Sequence, residues 1–325
     1  PDIPLHPTKA LFESHGNPGL AVRVGNRIAL FSETRSWAYL LLLPSFVLVL
    51  AVLIYPVGSG ILLSFREMRL TRPDLGTPFV GLRHYRELWS DPVFHISLVN
   101  TTIWALVGTA AQFVCGLISA LALNRGLHRL LPGMRLARVL ILLPWVMPSV
   151  VAGHMWALML DSRLGVINDV LVRLGVLDQY KAFFADPQTA LPAVLIVATW
   201  GAFPFFTLFY LAALQGIPDE LYEAAGVDGA GLWLQFRHIT WPMLVPIVVA
   251  TIVLRMIGMV NAPDLLLVLT GGGPGHATQV LSLFAFQKAY AEFDFGYAAA
   301  VSVVMMLMLM AFTVVYVRIS GVTKE

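Results

Sequence analysis

The amino-acid sequence predicts an all-α integral membrane protein with six transmembrane helices. Hydrophobic residues make up 58% of the 325 residues and charged residues only 12%, and the mean hydropathy is +0.77. A soluble domain carries roughly twice that charged fraction. A membrane-spanning helix needs about 20 mostly apolar residues, and the stretches that meet this need are 37–63, 95–123, 139–160, 191–214, 241–269 and 297–319.

The flanking segments define three regions. Residues 1–36 are polar, lack a signal-peptide pattern and predict a cytoplasmic N-terminal segment, whereas 37–320 form the membrane domain and 321–325 a short tail. Two outer connections, 64–94 and 161–187, are amphipathic and predict short helices in the membrane interface.

Several predicted spans contain proline, namely Pro44, Pro56, Pro144, Pro148, Pro204 and Pro263. This indicates kinked helices around a cavity, because neighbouring helices can satisfy the freed backbone groups. Proline is also simply frequent in transmembrane helices, and the two interpretations stay open.

The distribution of basic residues favours cytoplasmic termini. An even number of spans places both termini on one side. With the termini inside, the inner segments hold 11 of the 21 Lys and Arg residues, the outer segments hold 9, and Arg255 lies within a span. The bias is slight, and its strongest part is the short second loop, where basic residues count most: Arg125, Arg129, Arg135 and Arg138.

The segment between spans four and five, 216–241, is polar and rich in glycine. Pro218 suits the first turn of a helix, and Glu223 suits its positive N-terminal part. Gly226 and Gly229 then allow a turn. We expect two short helices parallel to the membrane, with small residues that let another protein approach closely. The alternative is an amphipathic loop that rests on lipid headgroups.

Within this segment the chain carries "EAA" at 223–225, "GVDGAG" at 226–231 and "FRHIT" at 236–240, followed by a proline. This pattern resembles the cytoplasmic signature loop of binding-protein-dependent ABC importer permeases. Trp241 departs from that family, which usually has leucine there. The resemblance implies that the loop docks into a groove on an ATPase through Glu223, Ala224, Ala225, Asp228, Gly229, Ile239 and Pro242.

The resemblance extends from about residue 37 to the end of the chain. "LTGGGPGHAT", "FGYAAAVSVVMMLMLM" and "LLPWVMPSVVAGHMWALML" are similar to the maltose-type carbohydrate permease subunit. The shorter partner subunit of that family usually carries a "WN" pair in span five, and this chain has none. The resemblance therefore implies the type I ABC importer permease architecture.

Family membership also implies partners and a location. These are a second permease subunit in a heterodimer, two cytoplasmic ATPase subunits, an extracytoplasmic solute-binding protein and the lipids of the bacterial inner membrane. ATP and Mg²⁺ would bind the ATPase partners, so this chain is expected to bind no cofactor and to be no enzyme. No phosphate-binding GxxxxGK[ST] pattern occurs in the sequence, and the small net charge of +2 does not suggest a nucleic-acid partner.

Arg255 is the sharpest clue to the transported solute, since a charged residue inside a span costs about 2.5–3.5 kcal/mol on insertion scales. Asp264 is nine residues away, too far for a direct pair within one helix. The resemblance places Arg255 where the family has a small polar residue that contacts sugar. A guanidinium suits carboxylate or phosphate, which suggests an acidic oligosaccharide such as a uronate, or a sugar or polyol phosphate. Alternatively, Arg255 pairs with a carboxylate of the partner permease and the solute is a neutral oligosaccharide.

The resemblance also implies further contacts along the substrate pathway. Trp200 and Phe205 fall at aromatic positions that stack sugar rings, and Met259 and Ala262 at sugar-contacting positions, with Asn261 as the neighbouring amide. A Trp in a span is equally often a packing or lipid-facing residue.

Two other classes of function compete with this interpretation. An ion-coupled secondary transporter would need repeat symmetry and several buried acids, and the sequence shows no repeat. A membrane enzyme would need a cluster of nucleophiles, bases or metal ligands within the spans, and none is evident. The single cysteine, Cys115, lies in an apolar run and is expected to serve packing rather than metal binding.

Overall fold

The computed structural model describes residues 35–124 and 134–320, and the described chain is almost entirely helical. The α-helices of this part are α1 (Arg35–Val49), α2 (Tyr55–Leu63), α3 (Arg83–Ser90), α4 (Pro92–Asn124), α5 (Met134–Val146), α6 (Ser149–Met159), α7 (Val166–Arg173), α8 (Ala190–Gln215), α9 (Asp219–Val227), α10 (Leu232–Gln235), α11 (Trp241–Asn261), α12 (Asp264–Leu269), α13 (Leu281–Tyr290) and α14 (Phe295–Ser320).

Five helical stretches are long and apolar enough to cross a membrane: Tyr39–Leu63, Pro92–Asn124, Ala190–Gln215, Leu232–Asn261 and Phe295–Ser320. The bent pair of α5 and α6 supplies a sixth crossing if the pair is counted as one span. The all-α membrane fold predicted from the sequence is confirmed.

Some predictions fall outside the described ranges. They concern the N-terminal segment up to residue 34, Arg125 and Arg129 of the second loop, and the tail 321–325. The domain boundaries and the side on which the termini lie therefore stay predictions.

The described residues divide into two compact units, one from Arg35 to Ser59 and one from Gly60 onward. In the first unit, α1 runs into a π-helical turn over Leu50–Ile54, and α2 follows. This wider turn ends just before Pro56, and the N–H of Tyr55 bonds to the carbonyl of Leu50. Because proline has no N–H and crowds the preceding turn, a local π-turn lets the helix continue past it.

In the second unit, α4 packs along α8, and α11 packs against both. Gly116 lies where α4 and α8 approach closely: a Cβ there would lie 2.9 Å from the carbonyl oxygen of Phe203 and 3.1 Å from the backbone nitrogen of Thr207. Fully buried Phe206 and Tyr210 fill the core beside it. A small residue thus lets the two helices approach closely.

The third predicted span, 139–160, is broken in its middle. Helices α5 and α6 meet at 99°, and Pro148 caps α6 with an extended ψ of 135°. The residue before a proline is disfavoured in the helical conformation, so α5 ends at Val146, Met147 lies outside the helix, and Pro148 caps the next helix in a new direction.

The fifth predicted span, 241–269, has different ends in the structure. The helix starts earlier, at Leu232, and ends earlier, at Asn261. Ala262 is extended, with φ −107° and ψ 98°, as expected for a residue before a proline. Pro263 then caps the separate short helix α12. The predicted span had joined α11 and α12 into one helix, because the hydropathy averaged over 241–269 is high throughout.

The segment between α12 and α13 contains the glycine-rich "LTGGGPGHAT" stretch. Its backbone is held by Asn100 of α4, whose Nδ2 donates to the carbonyl oxygens of His276 (3.1 Å), Ala277 (3.2 Å) and Gln279 (3.0 Å). The N–H of Leu281 donates to the hydroxyl of Thr101, at 2.8 Å. These bonds join the loop to α4.

Candidate functional site

The predicted coupling loop forms a short helix and a glycine turn. Helix α9 begins after Pro218 with Asp219 and Glu220 in its first turn, where acidic side chains are favoured. Glu223 and its neighbour Ala224 are exposed.

The end of the loop departs from the predicted second short helix. Asp228 caps α9, and Gly229 has a φ of +78°, a conformation that glycine adopts readily. Helix α10 continues through a π-turn, Phe236–Thr240, directly into α11. The second short helix is therefore the exposed start of the fifth span, with Ile239 packed on a core cluster and Pro242 at the start of α11.

Several hydrogen bonds make the loop one connected piece. The N–H of Ala230 donates to the carbonyl of Ala225 at 2.8 Å, closing the turn. The hydroxyls of Tyr222 and Thr240 lie 2.9 Å apart and join α9 to the start of the long helix Leu232–Asn261. These bonds therefore connect α9 to the start of the helix that contains α11.

The same segment leaves a set of large apolar side chains exposed, namely Leu221, Val227, Leu232, Trp233 and Leu234. An exposed apolar surface of this kind marks a protein or membrane contact. The arrangement fits either docking on another protein or contact with lipid.

The second candidate site is a cavity of about 200 Å³ between α4, α5, α6, α8, α11 and α12. Arg255, Met259 and Ala262 of the predicted pathway line this cavity together. Trp104, Trp145 and Asp264 also line it, and so does the glycine-containing face of α8 around Gly201.

Arg255 is held by hydrogen bonds to neutral groups. Its Nε donates to Oε1 of Gln112 at 2.5 Å, and its Nη2 lies 3.4 Å from Sδ of Met259. Among the residues that the structure describes, no carboxylate lies within ion-pair distance of this guanidinium. Its positive charge is thus available to a ligand or to a partner chain.

The other predicted pathway residues lie outside the cavity lining. Trp200 contacts Trp156 edge-on, with ring centroids 5.4 Å apart, and lines a separate apolar groove with Cys115. Asn261 is exposed, and its amide donates to the carbonyl of Ile257.

Phe205 does not line the cavity but packs against a residue that does. Its centroid lies 6.2 Å from that of Trp145, which lines the cavity.

Sequence reasoning missed Gln112 and Trp104. Both lie on one stripe of α4, since Trp104, Gly108 and Gln112 are four residues apart. Trp104 donates its indole N–H to the carbonyl of Met259 at 2.9 Å. The sequence did contain one signal for Gln112: it is an amide inside an apolar span, and polar side chains in such a place bond to neighbouring helices.

The comparisons with known proteins agree with this architecture. A family model described as "Binding-protein-dependent transport system inner membrane component" matches residues 112–322. The chain is 36% identical over 281 residues to the trehalose/maltose transport system permease protein MalF of Thermococcus litoralis, covering 86% of this chain and 92% of that relative. It is also 36% identical over 285 residues to the sulfoquinovosyl glycerol transport system permease protein SmoG of Agrobacterium fabrum, covering 88% and 90%.

A solved structure has the same fold. It is that of a bacterial ABC transporter involved in the import of the acidic polysaccharide alginate, with a TM-score of 0.75, 22% identity, and coverage of 92% of this chain and 98% of that chain. The resemblance to the maltose-type permeases is confirmed by the relatives, which are named as transport system permease proteins. With its long apolar helices and the matching family model, this chain is a multi-pass inner-membrane protein, and it belongs to the binding-protein-dependent transport system inner membrane components, the permease subunits of ABC importers.

Proposed function

We propose that this chain is the permease subunit of an ATP-driven importer that passes an acidic oligosaccharide across the inner membrane by alternating access. Relatives that are 36% identical are named as sugar transport permeases, which supports a carbohydrate solute. The acidic character of the solute rests on Arg255.

The observation that carries this proposal is an arginine on the wall of the cavity that has no ionic partner among the described residues. Placing a guanidinium within a span is costly, and Arg255 bonds there to Gln112 and Met259, whereas Asp264 of the same cavity lies beyond ion-pair distance. Guanidinium groups bind carboxylates through paired hydrogen bonds. Trp104 and Trp145 on the same wall offer apolar ring surface to a sugar.

The coupling loop supplies the proposed route by which ATP hydrolysis acts on this cavity. Glu223 and the turn at Gly229 would dock on one of two cytoplasmic ATPase subunits, which bind ATP and Mg²⁺, whereas this chain binds no cofactor. The helix Leu232–Asn261 is continuous, and Arg255 lies 15 residues beyond Thr240, about 22 Å along its axis. A shift of the loop would thus move the cavity wall, and the ATPases would bias a two-state bundle.

The remaining parts of the proposed complex follow from the family. A second permease subunit would complete the pathway as a heterodimer, and an extracytoplasmic binding protein would deliver the solute. Both termini and the coupling loop would face the cytoplasm, where the ATPases are.

A neutral oligosaccharide is the second candidate, and the name of the trehalose/maltose relative favours it. In that case Arg255 would pair with a carboxylate of the partner permease. The two candidates predict different effects when the charge at Arg255 is removed: uptake of the acidic solute alone is weakened in the first, and uptake of the neutral solute is impaired in the second, because a buried pair is broken.

The test is uptake by the complete complex in proteoliposomes, with an oligouronate and its carboxyl-reduced, neutral counterpart as matched solutes. One hydrogen bond to a charged group is worth about 1.5–3 kcal/mol, so the net loss of one such bond in Arg255→Gln should raise KM for the oligouronate about 10–150-fold and leave the neutral solute nearly unchanged. Arg318→Gln, an exposed arginine near the end of α14, is the control. Oligouronate uptake with an unchanged KM in Arg255→Gln would refute the acidic solute, and a wild-type preference for the neutral solute would favour the second candidate.

A further inference from the structure

We propose that Gln112 is a positioning residue that orients the Arg255 guanidinium toward the cavity and thereby determines the preference for anionic over neutral solutes. This inference rests on the proposed function, in which Arg255 binds an acidic group of the solute. Gln112 itself does not line the cavity, so it would act through Arg255.

Both ends of the Gln112 amide are engaged, which determines its orientation. Its side chain is fully buried. Its Nε2 donates to the carbonyl of Ala198 at 3.3 Å and lies 3.5 Å from Sδ of Met259. A backbone carbonyl can only accept a hydrogen bond, so the nitrogen of the amide faces Ala198 and the oxygen faces Arg255.

Arg255 donates to Gln112 through Nε. Among the described residues, its terminal nitrogens, Nη1 and Nη2, therefore have no strong hydrogen-bond acceptor. A guanidinium has five N–H groups, and Oε1 of Gln112 accepts the one on Nε. The only other hydrogen bond of the group within the described residues goes to the thioether of Met259, which is a weak acceptor. The terminal nitrogens of the guanidinium can therefore still bind a carboxylate through two parallel hydrogen bonds.

An amide at position 112 has a further consequence for charge. A carboxylate there would form an ion pair with Arg255 and cancel the positive charge of the cavity wall. Glutamine supplies the same acceptor oxygen without a charge. The guanidinium thus keeps a fixed geometry and is not neutralised by a direct ion pair at position 112, and the carboxylate that shares the cavity lining, Asp264, lies beyond ion-pair distance.

Met259 completes the support of this pair from the other side. Its carbonyl accepts the indole N–H of Trp104, and a Cβ at Gly108 would collide with its terminal methyl group. The stripe of Trp104, Gly108 and Gln112 on α4 therefore holds the segment of α11 that carries Arg255 and Met259. The supporting contacts come from two neighbouring spans, which limits the rotation of the guanidinium.

The experiment measures KM and maximal rate for the oligouronate and its carboxyl-reduced counterpart in the complete complex. Gln112→Glu keeps the acceptor and adds a charge, whereas Gln112→Leu removes the acceptor. Both should raise KM for the oligouronate about tenfold or more and change the maximal rate for the neutral solute less than about twofold. Thr251→Val is the control, because Thr251 is a buried residue of α11, the helix that carries Arg255, and it bonds to Tyr210 away from the cavity.

Combining the Gln112→Leu and Arg255→Gln substitutions separates this inference from the proposed function. In the Arg255→Gln background, Gln112→Leu should have no further effect on KM, because residues that act as a unit are not additive. Unchanged discrimination in both Gln112 variants, or additive effects of the two substitutions, would overturn the inference. If the wild-type complex shows no acidic preference, the proposed solute is wrong, and the additivity on KM of the neutral solute still decides whether Gln112 acts through Arg255.

Discussion

Replacing Gly229 by alanine should uncouple transport from ATP hydrolysis, and the structure gives the reason. Gly229 has a φ of +78°, and its N–H donates to the carbonyl of Gly226 at 3.0 Å. No atom lies within 4 Å of the position that a Cβ would occupy in this chain. The cost of the alanine is therefore one of backbone conformation and not of crowding.

The size of this cost follows from the left-handed backbone. An L-residue in this region costs about 1–2 kcal/mol relative to glycine, which corresponds to a factor of roughly 5–30 in the population of the native turn, since 1.4 kcal/mol is tenfold. Gly226→Ala is the matched control, because Gly226 lies within α9 with a helical backbone and open space around it. Alanine there should favour the helix by about 1 kcal/mol.

The assay is ATP hydrolysis stimulated by the binding protein, measured with uptake in the same proteoliposomes. We expect Gly229→Ala to lower uptake per ATP and to weaken retention of the ATPase subunits during purification, whereas Gly226→Ala keeps both near wild-type values. Equal behaviour of the two variants would show that the left-handed turn has no part in coupling.

Two further predictions concern the packing of α4 on α8 and the turn that precedes α7. Gly116→Val should lower the thermal unfolding temperature, because the valine side chain would meet the backbone oxygen of Phe203 and overpacking costs about 1–3 kcal/mol. Gly201→Val is the control: Gly201 has open space around it, so this variant should lower the unfolding temperature less. Equal shifts in the two variants would contradict the argument. The backbone N–H of Leu164 donates to the carboxylate of Asp161 at 2.9 Å and lowers the pKa of Asp161 below its ordinary value of 3.8. The stability of this turn is therefore fully present above the unfolded pKa of 3.8 and is lost as the pH falls through the lower folded pKa. Amide exchange at Leu164, corrected for the chemical rate, should accelerate in that window in wild type but not in Asp161→Asn, and a flat wild-type profile would refute the assignment.

Local signals accounted for what the sequence predicted well. Helix α9 and its glycine turn depend on Pro218, acidic residues in the first turn and Gly229, all within about a dozen positions. Length and hydropathy located the long apolar helices for a similar reason, because each span has to satisfy its own backbone hydrogen bonds in lipid.

The errors at span ends came from averaging over prolines. Hydropathy across 139–160 and 241–269 stays high through Pro148 and Pro263, although each proline begins a new helix. The composition of a window does not register a change in backbone direction. The residue before each proline, which is biased away from the helical conformation, held the information that was needed.

The substrate cavity was only partly predictable, because it depends on which faces of distant helices meet. Arg255 could be singled out by its charge alone, whereas Gln112 matters only through a contact made 143 positions along the chain. Trp200 and Phe205 lie on the same helix as residues that line the cavity, but Trp200 packs on Trp156, and Phe205 contacts the cavity-lining Trp145 without lining the cavity itself. The period of a helix defines its faces but not the partner that each face meets.

The proposed coupling and the proposed solute site meet in one helix. The stretch Leu232–Asn261 is tied to α9 by Tyr222 near its start, and it carries Arg255 about two turns before its end. Arg255 is in turn bonded to Gln112 on α4, a helix that the coupling loop does not move directly. A displacement of the loop would therefore change the position of Arg255 relative to Gln112, so that the same hydrogen bond that orients the guanidinium also senses the state of the bundle. On this reasoning the affinity for the anion is high in the state that keeps the bond and low in the state that breaks it, which is the difference in binding that alternating access requires.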